Sequence, residues 1–214
     1  MIITVDAGLS LTRYDLCEQT PDNWDAHGHS NCTEYSNLDN ENHKNKEGFY
    51  FLFDDVITCQ AVAEVACRNK SKAQYWLTNT NTNSQIKIID FSSCKCIHDI
   101  LEIIDVLNLD IYNDFMKLNG LKNGKSQRFL SELKCHSRST RIFNLYPELI
   151  EVSWFGQLLT DFDNGTYFKG VLTEHKIDGY RWCENYNPYG LTYCLLDAEK
   201  LSAPVKHSIH YNCL

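Results

Sequence analysis

One carboxylate, Glu64, lies inside the apolar segment "TCQAVAEVACRN" (residues 58–69). A charged residue on a helix usually faces solvent, but the alanines and valines around Glu64 leave this helix little polar surface. Small alanine side chains also allow a ligand or another backbone to approach closely. A carboxylate in this position can stabilise a developing cation or accept hydrogen bonds from sugar hydroxyls. Glu64 is therefore the first candidate catalytic residue, with a solvent-facing charge as the alternative.

Arg13 and Tyr14 form a second candidate, in the extended segment "LTRYDL" (residues 11–16). A guanidinium group can hold a diphosphate through two parallel N–H bonds, and an aromatic ring beside it can cover part of the ligand. The alternative is an ordinary exposed arginine on a strand.

The third candidate is "DGYRWCEN" (residues 178–185). Asp-Gly is typical of a turn, and the residues after it alternate, so Tyr180, Trp182 and Glu184 are expected on one face of a strand. Trp182 is either part of the core or an aromatic platform for a ligand, and Glu184 lies at the end of the same strand.

The elements that must position these residues indicate an α+β fold, a single domain over residues 1–214 with mixed or antiparallel sheets and a helical middle. The predicted strands are residues 1–5, 11–16, 49–53, 74–77, 85–91 and a strand–turn–strand unit over 176–197. Helices are predicted from an N-cap at Thr58 to Cys67, over 99–118, over 126–135 and over 153–162. Residues 17–47 are predicted to be a long polar loop, and the asparagine-rich residues 77–85 a turn.

Composition and missing motifs exclude several function classes. The net charge of −8 and pI near 5.4 disfavour nucleic acid as a direct partner. No apolar run reaches the ~18 residues of a membrane span, and the N-terminus has no signal-peptide pattern. The glycine-rich loops of Rossmann and P-loop proteins and the G-x-S-x-G motif of serine hydrolases are absent from the sequence.

Ten scattered cysteines favour reduced thiols and a cytoplasmic location. Cys94, Cys96, His98 and Cys135 could in principle hold zinc. However, structural zinc sites usually contain C-x2-C pairs, and a single C-x-C is weak evidence. We therefore expect no metal.

The order of the motifs resembles the RES-domain family, the toxin halves of a class of bacterial toxin–antitoxin pairs. The matching segments are the early Arg13-Tyr14, "NKEGFYFLFDD" (45–55), "AVAEV" (61–65) and "IDGYRWCEN" (177–185), followed by "TYCLLD" and "LSAPVKH". The resemblance spans residues 11–206. It implies an ADP-ribosyltransferase-like fold and an enzyme whose substrate is NAD+, cleaved at the nicotinamide–ribose bond by hydrolysis or phosphorolysis. Some members of the family instead ADP-ribosylate a protein.

The resemblance also implies roles for individual residues. Glu64 matches the catalytic glutamate and Arg13 the early arginine, and these two are the predicted catalytic residues. Asn45 and Gly48 match an N-x-x-G motif. Phe51 matches an aromatic residue of the following strand, although Tyr50 or Phe53 would fit in another register. The NAD+-binding residues would be Tyr14, Asn45, Tyr50, Phe51, Trp182 and Glu184.

Two comparisons with the family pattern keep a second interpretation open. Members often have a basic residue just before the asparagine, where this chain has His43 and Lys44, and Glu184 occupies the position of a late serine. The alternative is a catalytically inactive RES-like module that binds a protein. For the toxin we expect a neutralising antitoxin protein as a partner, with no direct nucleic acid and no membrane, and a homo-oligomer stays open.

Overall fold

The computed structural model describes residues 1–15, 17–24, 26, 50–69, 73–95, 97–108, 167–183 and 190–213. Most of the predicted loop 17–47 and the predicted helices 126–135 and 153–162 lie outside these ranges. Asn45, Gly48 and Glu184 lie outside them as well.

One open, mixed sheet dominates the fold, so the prediction of an α+β protein is confirmed at this level. Its strand order is β1-β5-β6-β7-β3-β2-β4-β8. Among the strands of the described residues, β5 and β6 pair in parallel and the other neighbouring pairs are antiparallel. The strands are β1 Ile2–Val5, β2 Ser10–Asp15, β3 Tyr50–Phe53, β4 Gln74–Asn81, β5 Ile86–Asp90, β6 Gly179–Cys183, β7 Leu191–Leu195 and β8 Ile209–Asn212.

The described residues also contain three α-helices and a short 3-10 turn. The helices are α1 Val56–Asn69, α2 Ile97–Val106 and α3 Tyr167–Glu174, and the turn is Ala198–Lys200. Helix α2 confirms the first part of the helix predicted over 99–118, because Ile100, Ile103 and Leu107 are buried along one stripe. Among the described residues no helix is long and apolar enough to cross a membrane.

Helix α1 begins two residues before the predicted N-cap, so the assignment of Thr58 as the cap was wrong. The cap is Asp55: one of its carboxylate oxygens accepts hydrogen bonds from the backbone N–H of Thr58 at 2.7 Å and from its hydroxyl at 2.8 Å. A carboxylate that binds the free N–H groups of the first turn is a favourable helix start. The helix then runs to Asn69, two residues past Cys67.

The asparagine-rich segment is mostly strand, which corrects the turn predicted over residues 77–85. Strand β4 continues to Asn81 because its polar side chains have partners inside the sheet. Thr78 donates to Asp15 at 2.9 Å, Thr80 to the Ser202 carbonyl at 2.5 Å, and Asn79 accepts from Thr12 at 2.8 Å. Threonine is also β-branched and therefore suits a strand.

Two apolar clusters cover the two faces of the sheet. Helix α1 packs on one face, in a cluster of Tyr14, Phe53, Cys59, Ala63, Cys67, Tyr75 and Leu77. The other face carries a cluster of Leu11, Tyr50, Leu52, Ile86, Ile88, Tyr193, Leu195, Ala198 and Leu201. Because successive residues of a strand point to opposite faces, Arg13 and Asp15 lie with Leu11 on the face away from α1.

Candidate functional site

Arg13 forms an interior ion pair. Its Nε lies 3.1 Å from Asp15 Oδ1 and donates to Oδ2 at 3.2 Å. The guanidinium also donates to the carbonyl of Ala26 at 3.1 Å and lies 4.3 Å from the ring centroid of Trp24. Arg13 is 3% exposed and Asp15 fully buried. To contact a diphosphate, Arg13 would have to leave this carboxylate, so its binding role stays a prediction that the geometry does not favour.

Glu64 has a different environment at the surface of α1. Its side chain is 25% exposed and accepts from Arg68, one helical turn later, at 3.5 Å. The Arg68 side chain is 62% exposed, so this pair is weakly held. The negative charge of Glu64 also acts on the interior: burial and this charge raise the pKa of Tyr75 to about 12. Glu64 is therefore a carboxylate that solvent can reach beside a buried phenol.

Tyr14 and Tyr50 are core residues rather than exposed ligand platforms. Tyr14 is 7% exposed and packs beneath α1, whereas Tyr50 is 9% exposed and belongs to the cluster on the opposite face. Their predicted contact with NAD+ would require ligand access to these interiors.

Phe51 and Trp182 are brought together by the sheet. Their strands both flank β7, and the rings meet edge to face with centroids 6.2 Å apart. Trp182 is 2% exposed and stacks on Tyr180 at 5.7 Å, and Tyr180 meets Phe91 at 6.2 Å. This row of rings fixes Trp182 in the core, while Phe51 remains half-buried and is the ring that a ligand could touch.

The structure does not bring Arg13 and Glu64 together. Tyr14 lies under α1, so its neighbour Arg13 points to the opposite face of the sheet, whereas Glu64 belongs to α1 itself. The sheet therefore separates the two residues that were predicted to be catalytic.

A group of polar residues missed by the sequence analysis lies on the face away from α1. Asp90, Arg181 and Tyr193 stand side by side on β5, β6 and β7, because Asp90 is in register with Arg181 and Arg181 with Tyr193. Arg181 donates to Asp90 at 2.9 Å and to the Tyr193 hydroxyl at 2.8 Å. Asp54, directly after β3, lies diagonal to Tyr193, since Leu52 is in register with Tyr193. We call these four residues the polar row.

Electrostatics keeps the central members of the polar row charged. Burial alone would raise the pKa of Asp90, but hydrogen bonds from Arg181 and Ser92 outweigh it and lower that pKa. Burial alone would lower the pKa of Arg181, yet its bonds to Asp90 and Tyr193 raise it. Asp54 is an exposed residue whose carboxylate is partly buried; this partial burial raises its pKa despite the hydrogen bond that it accepts from the backbone N–H of Leu191 at 2.7 Å.

One sequence signal could have found the polar row. Arg181 lies within the quoted "DGYRWCEN", between two aromatic residues on a strand with both faces covered. A charged side chain at such a position needs a buried partner, and that partner comes from β5. The pairing could not be foreseen, because β5 and β6 are separated by more than 85 residues of chain.

Cys94 is the one residue of the weak zinc alternative whose side chain lies in the described part of the chain. Cys94 is buried and its thiol donates to the Asp90 carbonyl at 3.8 Å, while Cys96 and Cys135 lie outside the described residues. Among the described residues no group of three or more histidine, cysteine, aspartate or glutamate side chains could hold a metal ion.

Comparison with known proteins gives no information about the fold family or the function of this chain. No family model matches the chain, and neither a curated protein nor a solved structure matches it. The RES-domain resemblance therefore depends on the motifs in the sequence and stays a prediction.

Proposed function

We propose that this chain cleaves the nicotinamide–ribose bond of NAD+ as a RES-type toxin or defence effector, with an ADP-ribosyltransferase-like fold. The observation that carries the proposal is the position of Glu64. Its carboxylate is a quarter exposed on a helix whose inner side is packed by Cys59, Ala63 and Cys67, and it is paired only loosely, with Arg68. Such a carboxylate is accessible to a ligand and is held on a rigid element.

The chemistry suits a single carboxylate. When the C–N bond breaks, both electrons go to the pyridinium nitrogen, so nicotinamide leaves as a neutral base and needs no strong general acid. The ribose then has oxocarbenium character, which a nearby anion stabilises as carboxylates do in glycosidases. A nucleophile bonds to the ribose carbon and loses its proton; water, phosphate or an acceptor side chain would each complete the reaction.

Phe51 is the aromatic residue best placed to contribute to binding. It is half-buried, and Trp182 contacts it edge to face from within the core. Planar rings such as nicotinamide and adenine bind favourably against aromatic faces. In this proposal Trp182 positions Phe51 rather than touching the ligand.

A second candidate function is favoured by the Arg13–Asp15 ion pair. If Arg13 is a permanent interior residue, the chain lacks the diphosphate contact that the family resemblance implies. The protein would then be an inactive RES-like module whose role is to bind another protein. Calorimetry would favour this candidate if NAD+ gives no binding heat while a protein partner co-purifies at fixed stoichiometry.

The test of the first candidate is nicotinamide release from NAD+ by the wild type, Glu64→Gln and Glu102→Gln, with and without phosphate. Glu102 is an exposed glutamate on α2 and serves as the matched control. We expect Glu64→Gln to lower the rate by about 10²-fold, the typical loss when a transition-state electrostatic contact is removed, and Glu102→Gln to leave it unchanged. Equal rates for wild type and Glu64→Gln, or no release by any of the three proteins, would contradict the proposal.

A further inference from the structure

The polar row draws side chains from four consecutive strands of the sheet. In the order β5-β6-β7-β3, each strand or its end contributes one member, and the row borders the apolar cluster that contains Leu52 and Tyr193. A single ion pair, Asp90 with Arg181, would satisfy the buried charge. Asp54 and the Tyr193 hydroxyl go beyond that requirement, and small-ligand sites combine an apolar surface with a few polar groups of this kind.

Hydrogen-bonding capacity is left over in the polar row. A guanidinium has five N–H groups, and Arg181 uses one on Asp90 and one on Tyr193. Its Nε–H is buried and has no acceptor among the described residues, so the N–H groups left for a ligand are one on each of the two terminal nitrogens. Asp54 uses Oδ1 for the Leu191 N–H, and its second oxygen has no partner in the described part of the chain. The row thus offers N–H donors next to a carboxylate acceptor.

Access and charge narrow the class of ligand. Asp54 is exposed and the Arg181 side chain is 21% exposed, whereas Tyr193 is 2% exposed and can only position Arg181 from behind. Two carboxylates, Asp54 and Asp90, outnumber the one guanidinium, so the row disfavours phosphates and carboxylates. A ligand with hydroxyl groups and a neutral or positive charge matches both the donors and the acceptor.

We infer that Asp54 and Arg181 bind the vicinal hydroxyls of a neutral or cationic sugar, of which a ribose ring is the simplest member. An aspartate accepting from ribose hydroxyls is a recurrent way of binding this group, and the fork of Arg181 can donate to the same oxygens. The polar row lies on the face of the sheet away from Glu64, so this is a second site and not the ribose contact of the proposed cleavage site. Only the choice of nicotinamide riboside as the cationic ribose rests on the proposed function.

The experiment titrates the protein with nicotinamide riboside, a cation, and with nicotinamide mononucleotide, which adds a phosphate. NMR follows both, so that intact probe and any released nicotinamide are seen separately. We expect the wild type to bind the riboside more tightly than the mononucleotide. Asp54→Asn keeps an oxygen for the Leu191 N–H but loses the charge, and should weaken riboside binding about tenfold or more and abolish the preference.

Two further variants keep the result interpretable. Asp197→Asn is the matched control, because Asp197 also accepts a backbone N–H, from Glu199 at 2.8 Å, but lies beyond the opposite end of β7. It should bind both probes like the wild type. Asp54→Glu retains the charge and should retain the preference for the riboside, and circular dichroism checks that each variant is folded.

Saturable riboside binding that Asp54→Asn weakens and Asp197→Asn does not would support the inference. No riboside binding by the wild type, or equal binding by the two asparagine variants, would overturn it. The proposed function fails separately: riboside binding without NAD+ cleavage would refute only the enzyme, and NAD+ cleavage without riboside binding would refute only this site.

Discussion

Replacing Arg13 with methionine should destabilise the fold severely. The variant removes the charge partner of Asp15, which is fully buried, and it also removes the contact of the guanidinium with Trp24. Breaking a buried ion pair by deleting one partner costs about 3–5 kcal/mol, because the other charge remains in a low-dielectric interior. Single domains have only about 5–15 kcal/mol of unfolding free energy, so Arg13→Met should lose a large fraction of it.

The assay is urea unfolding followed by circular dichroism, applied to a double-mutant cycle. The cycle compares Arg13→Met, Asp15→Leu and the double variant, in which both charges are gone and an apolar pair of similar length occupies their place. We expect the double variant to be more stable than Arg13→Met alone, because no unpaired charge is left. An Arg13→Met cost below about 1 kcal/mol, or losses that simply add in the double variant, would refute the assignment of an interior ion pair.

This result also decides how activity data on Arg13 should be interpreted. If Arg13→Met unfolds the protein, its loss of NAD+ cleavage would say nothing about a diphosphate contact. If it remains folded and loses NAD+ binding, the predicted role of Arg13 as a diphosphate ligand regains support. Unfolding measurements therefore have to precede kinetics for this residue.

Two further predictions concern packing and pH. Gly179→Ala should lower the unfolding free energy by about 1–3 kcal/mol, because the added Cβ would lie 3.0 Å from the carbonyl carbon of Cys194 and closer still to its oxygen. Gly170 lies on α3 with open space around it, so Gly170→Ala should instead raise the unfolding free energy by about 0.5–1 kcal/mol. Thermal melting compares the two variants. Because the folded protein lowers the pKa of Asp90 below its ordinary value of 3.8, the stabilisation by its ionised form is complete above that value and is lost as the pH falls through the lower folded pKa. Asp90→Asn should therefore lower the melting temperature at pH 6 more than at pH 2.5, and an equal loss at both would contradict this.

Strand and helix positions with a strong apolar pattern could be predicted from the sequence. The segments around Ile2, Phe53 and Ile88 were assigned correctly because apolar runs of strand length leave few alternatives. The prediction ended strand β4 too early, because its threonines and asparagines resemble a turn sequence. The pairing with β2 shows that these polar groups have partners. In residues 78–81, hydrogen bonds to other parts of the fold stabilise a strand although the local sequence favours a turn.

The candidate site was less predictable, for a reason visible at Arg13 and Arg181. Both arginines lie on strands beside aromatic residues, and the sequence analysis singled out only Arg13. Its partner Asp15 is two residues away, on the same face of the strand, and this spacing favours an internal pair that alternation could have revealed. The partner of Arg181 comes from β5, far away in sequence, so only the sheet order shows that Arg181 belongs to a polar row.

The sheet order has a consequence for how the chain is assembled during synthesis. Residues 1–108 contain the pair β1-β5 and the group β3-β2-β4, yet no described pairing joins these two pieces directly. The β6-β7 hairpin lies between β5 and β3 and pairs with both. The edges of β5 and β3 that face this hairpin therefore lack their final partners until the chain has been synthesised to Leu195. The hairpin that completes the polar row also joins the two pieces into one sheet.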